Sequence, residues 1–207
     1  MRDHATPPPP RTSGILRELA AGLPGERVTL GEIDAALADR AFGLLMLVFA
    51  LPNTLPSLPG MSAVLGMPLL ILALQLAGGW SRPWLPRWLA SRSLPVREFS
   101  RFVDLATPWL QRIERVLAPR LPQFTAPVVE RWVIGVMAVL LATAIVLPIP
   151  FGNIPPAIGV SLLALGLLER DGAVVLAGLA VGVLSLAVVA AVVTGLGAAG
   201  LAILGSL

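Results

Sequence analysis

The chain has 207 residues, 56% hydrophobic and only 13% charged, with a mean hydropathy of +0.85. Soluble domains carry about 25% charged residues and about 45–50% apolar ones, so this composition argues against a water-soluble globular enzyme. Absence of Cys excludes disulfides, thiol catalysis and Cys-based metal sites. There is one His and no Lys, so all 15 basic residues are Arg against 12 acids, for a net charge of +3 and a pI near 11.2. Amid so much apolar sequence, that charge points to anionic lipid headgroups rather than nucleic acid.

Residues 1–12, with Pro7 to Pro10, lack the apolar core and cleavage site of a signal peptide and predict a disordered cytoplasmic tail in which His4 has no catalytic role. Ile15, Leu16, Leu19 and Leu23 have helical spacing and predict a short amphipathic helix over 13–23, stopped by Pro24-Gly25. Thr29 and Glu32 have capping-box spacing and start a second helix expected to run through Ala41 into apolar sequence. Ala41 to Leu51 makes about 16 Å of helix, roughly half a hydrocarbon core. Pro52, Pro56, Pro59 and Gly60 then break it, and apolar sequence resumes from Met61 to Gly79. The pattern is helix, broken turn at membrane depth, helix.

From Trp80 to Arg131 the chain holds nine Arg together with Trp80, Trp84, Trp88 and Trp109. Rings at headgroup level with guanidiniums among phosphates describe an interfacial segment, and a solvated cytoplasmic linker with helices is the alternative. A second broken hairpin follows: Trp132 to Leu147, a break over 148–156, and apolar sequence to Leu168, closed by Glu169-Arg170-Asp171-Gly172. Ala173 to Leu207 carries no charge and predicts a full span to about Thr194, then a Gly-rich end, either a second short span or an interfacial tail.

The two halves resemble each other. Ile15-x-Arg17-x-Leu19-Ala20-x-x-Leu23-Pro24 matches Ile113-x-Arg115-x-Leu117-Ala118-x-x-Leu121-Pro122 at six of ten positions. Asn53-x-x-Pro56 matches Asn153-x-x-Pro156, and Leu65-Gly66 matches Leu165-Gly166, both at an offset of 100. The expected architecture is therefore an all-α integral membrane protein with two homologous repeats. Each is an amphipathic helix plus a Pro/Gly-broken, re-entrant type of helical hairpin, with an additional C-terminal transmembrane helix. The segments are a tail (1–12), repeat 1 (13–79), a Trp/Arg-rich interfacial connector (80–111), repeat 2 (112–172) and the C-terminal membrane helix with its Gly-rich end (173–207).

Interrupted helices at corresponding positions of duplicated halves are the sequence pointer to a transporter-like site. Their unpaired backbone groups survive only inside protein or beside a wet cavity. The substrate- or ion-binding candidates are Asn53 and Asn153 with Pro52, Pro56, Pro148, Pro150, Gly152 and Pro156; capping of its own half-helix is the competing use of each Asn. Arg40, Arg82, Arg131 and Arg170 at the hairpin flanks are candidates for phosphate or headgroups. Glu169 and Asp171 form the tight acidic pair outside the N-terminal region, with a solvated helix end as the alternative. No catalytic or metal-binding residue and no cofactor is predicted.

The residues are similar in combination to one family. Leu23-Pro-Gly-Glu-Arg-Val-Thr-Leu-Gly-Glu32, Arg40-Ala-Phe-Gly-Leu44, Leu51-Pro-Asn53, Leu147-Pro-Ile-Pro-Phe-Gly-Asn153 and Leu167-Leu-Glu-Arg-Asp-Gly172 resemble the ExoD family of bacterial exopolysaccharide synthesis proteins, over about residues 13–195. The resemblance implies a multi-pass inner-membrane protein needed for exopolysaccharide production, and it carries over no reaction and no catalytic residue.

Three functions are then weighed. A glycosyltransferase needs positioned carboxylates, and none lies within an apolar span, so an enzyme is not expected. A carrier for a lipid-linked or ionic solute suits the broken hairpins, and a scaffold for polysaccharide assembly enzymes suits the Trp/Arg-rich segment. Arg at both hairpin flanks orients those flanks, the N-terminus and the central segment to the cytoplasm. Membrane lipids and polysaccharide assembly proteins are the expected partners, with no nucleic acid. Gly178-x-x-x-Gly182 fits the helix-dimer motif of a homodimer and equally fits packing within one chain.

Overall fold

The computed structural model describes residues 12–22, 25–37, 40–55, 61–84, 91, 93–147 and 152–205. Expectations for the N-terminal tail and for Pro56, Pro148 and Pro150 lie outside them. Helix α1 (Thr12–Gly22) buries Leu16 and exposes Arg17 and Glu18, as its apolar spacing dictates. Strand β1 (Arg27–Thr29) leads into α2 (Leu30–Leu37) through a reciprocal capping box. The Glu32 carboxylate accepts the Thr29 N–H at 2.7 Å, and the Glu32 N–H donates to Thr29 Oγ1 at 3.2 Å. Hydrogen bonds from the Thr29 backbone and hydroxyl hold the Glu32 carboxyl below its usual pKa.

The second helix does not run on through Ala41. Helix α3 (Ala41–Ala50), continued by a 3-10 turn at Leu51–Thr54, leaves α2 at 114°. The physical reason is the change of environment: α2 carries polar side chains and α3 none. Half-buried Arg40 fixes the corner by donating to Thr12 Oγ1 at 2.9 Å.

Helix α4 (Met61–Ala77) returns from the first turn and ends at Gly79, whose φ of +78° suits glycine. Strand β2 (Ser93–Pro95) pairs antiparallel with β1, Val28 opposite Leu94. It opens α5 (Val96–Val116), whose stripe of Phe99, Val103, Thr107, Leu110 and Glu114 is buried and which packs on α1. Much of the Trp/Arg-rich region is thus one amphipathic helix, continuous across residue 112, where the sequence places the start of the second unit.

Helix α6 (Pro127–Val146) starts on a proline and contains a π-helical turn at Glu130–Gly135. Helix α7 (Ile154–Glu169) places Pro155 and Pro156 in its first turn, where no intrahelical N–H is needed. Helix α8 (Gly172–Gly205) is a single helix of 34 residues that continues without a break past Thr194. Away from water the backbone must pair with itself, and this outweighs the helix penalty of about 1 kcal/mol per Gly.

Helices α3, α4, α6 and α7 close a ring: α3 and α6 each pack on both α4 and α7. A Cβ on Gly43 would lie 2.9 Å from the Ala164 carbonyl oxygen, and one on Gly135 would lie 2.7 Å from the Ala77 nitrogen. The start of α3 therefore lies against the end of α7, and the start of α6 against the end of α4. Neighbours run antiparallel, and both hairpins turn at the same end of the ring. Helix α8 seals α7 and α6, its Gly178 against Leu163 and its Gly182 against Met137 and Leu141, so the small-residue pattern serves packing within the chain.

The interior holds Phe42, Met46, Leu69, Ile134, Leu141, Ile145, Leu163 and Leu168. Outside, Val64, Met67, Ile71 and Leu74 on α4, Val136 and Leu140 on α6, and Val183, Leu184 and Val188 on α8 are exposed. Apolar faces of this extent belong in lipid. Pro127–Val146 and Gly172–Gly195 are long and apolar enough to cross a membrane, and a third span results if the bent pair α2 and α3 is counted as one. Helix α7, at 16 residues and about 24 Å, is shorter than the hydrocarbon core and buried almost throughout.

Candidate functional site

The turns of the two hairpins meet. Pro52 opens the 3-10 turn after α3, and Asn53, fully buried, donates from Nδ2 to the Phe49 carbonyl at 2.9 Å. Asn153 stands at the N-cap position of α7 without a side-chain cap bond. Its Nδ2 instead reaches across to the Asn53 carbonyl oxygen at 3.4 Å and Ser62 Oγ at 3.3 Å. Gly152 is half-buried beside it, and Pro156 is buried in the first turn of α7. Both contacts made by Asn153 are long for amide hydrogen bonds. Asn53 Oδ1 is buried and has no hydrogen-bond partner among the described residues, and the same holds for Ser161 Oγ on α7. Leaving such an oxygen unpaired in a protein interior costs about 1–3 kcal/mol.

The opposite, flank end of the ring carries a buried polar network. Thr12 Oγ1 donates to Glu169 Oε1 at 2.9 Å. Glu114 accepts the Ser13 N–H at 2.7 Å and the Ser13 hydroxyl at 2.6 Å, tying the first turn of α1 to α5. Asp171 accepts from Arg120 Nε at 2.9 Å and from the N–H groups of Ala118, Ala173 and Val174, so it caps α8 and holds the segment after α5. Burial opposes ionisation of Asp171, but these four donors outweigh it and hold the carboxyl below its usual pKa.

The solvated helix end considered for Glu169 and Asp171 is thereby corrected. Both are buried, because donors from elements distant in sequence converge on them. Of the four arginines, Arg40 is engaged by Thr12 and Arg82 is exposed beyond α4, while Arg131 and Arg170 line one cavity. The sequence reading missed Thr12, Ser13, Glu114 and Arg120. A usable signal existed for Glu114, which falls on the same helical stripe as Phe99, Val103, Thr107 and Leu110.

Helices with apolar outer faces, two of them long enough to cross, and two hairpins whose broken turns meet inside the protein define a multi-pass helical membrane protein. The family model described as "Exopolysaccharide synthesis, ExoD" matches residues 12–191, and the chain belongs to the ExoD family. It is 28% identical over 172 residues to Protein ExoD of Rhizobium meliloti, covering 80% of this chain and 70% of that protein. It is also 30% identical over 161 residues to an uncharacterized protein of Synechocystis sp., covering 77% and 76%. No solved structure matches the chain.

Proposed function

We propose that this member of a family associated with exopolysaccharide synthesis acts in the bacterial inner membrane as a carrier for a lipid-linked or ionic solute, without catalysing a reaction itself. The observation that carries this reading is the buried meeting of Asn53 and Asn153, with Asn53 Oδ1 left as an open acceptor among the described residues. Broken helices on two hairpins that turn at one end of the ring are the architecture in which midplane solute sites occur. The ring pairs α3 with α7 in the same antiparallel sense as α6 with α4, which agrees with a duplicated hairpin. In this reading the Arg-bearing flanks, the N-terminus and α5 face the cytoplasm.

A second reading has an observation of its own. The Nδ2 groups of both Asn residues are engaged inside the protein, as they would be in a scaffold that positions polysaccharide assembly enzymes. The experiment is the double variant N53A/N153A, expressed in a bacterium lacking its own copy, with membrane level and exopolysaccharide output both measured. Full membrane insertion with lost output is expected, and output at the wild-type level would overturn the carrier site. Cys introduced singly at Thr54 and Ile154 separates the readings: labelling by an impermeant thiol reagent marks a wet turn, and protection from both sides of the membrane marks closed packing.

A further inference from the structure

At the flank end, away from the two Asn residues, a cavity of about 480 Å³ opens between the end of α4, the start of α6 and the end of α7. Its polar lining includes Ser81, Thr125, Glu130, Arg131 and Arg170, and its apolar lining includes Trp80, Trp132, Val128, Leu76 and Leu167. Arg131 is held in place: its guanidinium lies 5.2 Å from the Trp132 ring centroid, and it packs so closely on Gly79 that a Cβ there would come within 2.7 Å of its Cζ. Arg170 enters from the left-handed residue that ends α7, at φ +53°.

We propose that this cavity holds the anionic phosphate headgroup of a membrane lipid, with the lipid chain running down the outside of α6. The described lining brings two guanidiniums and one carboxylate together, and forked guanidinium donors match phosphate oxygens. The hydroxyls of Ser81 and Thr125 add neutral donors. A lipid rather than a free anion is indicated by the other half of the lining. Trp80 and Trp132, 49% and 62% exposed, stand at the rim, and from Trp132 the exposed apolar surface continues through Val133, Val136 and Leu140. Aromatic rims beside Arg are the arrangement found at headgroup level. The inference uses no property of the turns, so it stands or falls apart from the carrier reading.

The test uses the full chain in detergent, titrated with phosphatidylglycerol or phosphatidylcholine bearing brominated chains, with quenching of Trp fluorescence as the readout. Phosphatidylglycerol is expected to half-saturate at about tenfold lower concentration than phosphatidylcholine. R131A and R170G are each expected to weaken phosphatidylglycerol by about tenfold, as loss of a charge-assisted contact requires, and to narrow its preference over phosphatidylcholine, whose phosphodiester is already offset by its own quaternary ammonium. R170G relieves a left-handed residue, so it keeps the binding question open even if R131A fails to fold. R17A, on the exposed face of α1, is the control that retains wild-type quenching. Equal affinity for the two lipids, or unchanged binding by R170G, overturns the proposal. Displacement of phosphatidylglycerol by millimolar inorganic phosphate overturns it too, marking a free-anion site.

Discussion

Replacing Asp171 tests how the flank end is held together. The side chain is fully buried, and one oxygen caps α8 through the N–H groups of Ala173 and Val174 while the carboxylate also holds Ala118 and Arg120. Losing an N-cap costs about 1–2 kcal/mol. Arg120 is 52% exposed, so its ion pair is screened and adds no more than about 1 kcal/mol. With the stranded Ala118 N–H, D171A is expected to destabilise by about 3 kcal/mol, a fall in Tm of roughly 6–12 °C for a chain of this size. D171N keeps one acceptor for the cap and is expected to lose about half as much. The assay is thermal unfolding in detergent followed by Trp fluorescence across pH. Because the folded-state pKa of Asp171 is depressed, its ionic contribution is complete above the unfolded value of about 4 and is lost as pH falls through the lower folded value. The gap between wild type and D171N should therefore be constant over about pH 5–8 and shrink under stronger acid. A Tm loss below about 2 °C for D171A, or a gap that is undiminished at pH 2, refutes the assignment.

Two glycines make opposite predictions. G43A would drive a Cβ to 2.9 Å from backbone atoms of Ala164 and Leu168, a clash worth at least about 1–3 kcal/mol, whereas G14A meets nothing within 4 Å and should stabilise α1 by up to about 1 kcal/mol. Relative Tm values of the two variants check both signs. E114Q should weaken the two contacts from Ser13 by about 1.5–3 kcal/mol together and loosen α1 from α5. Limited proteolysis should then cut within residues 12–26 faster than in wild type, and an unchanged cleavage rate would show that the network does not anchor α1.

Local rules recovered the capping box at Thr29, the helix of residues 12–22 and the positions of the hairpins, because each depends on residues within one turn or on a Pro/Gly break. The matched words Ile15–Pro24 and Ile113–Pro122 show where such reading stops. The first lies in helix through Gly22, but the second leaves α5 at Val116 with Leu117 already extended, since Pro119 replaces Ala21, removes a helical N–H and disfavours the helical conformation of the residue before it. Leu65-Gly66 and Leu165-Gly166 are also not equivalent, because Gly66 lies near the start of α4 and Gly166 near the end of α7. The Asn pair was legible from its repeated spacing. The flank network was not, because Ser13 and Glu114 lie 101 residues apart, and Thr12 and Glu169 157 apart. Distances of that kind are set by packing alone.

The π-helical turn at Glu130–Gly135 stores one residue more than an α-helical turn would. An α-helix rotates about 100° per residue. Removing one residue from this turn while Ile134 and Gly135 keep their places against α4 would swing Val128, Glu130 and Arg131 around the helix axis and off Gly79. The headgroup cavity would lose its wall, while the interior face from Ile134 to Ile145 would not move. Helix α6 therefore has two independent azimuths, one set by the core and one by the cavity, so substitutions that tune one need not detune the other.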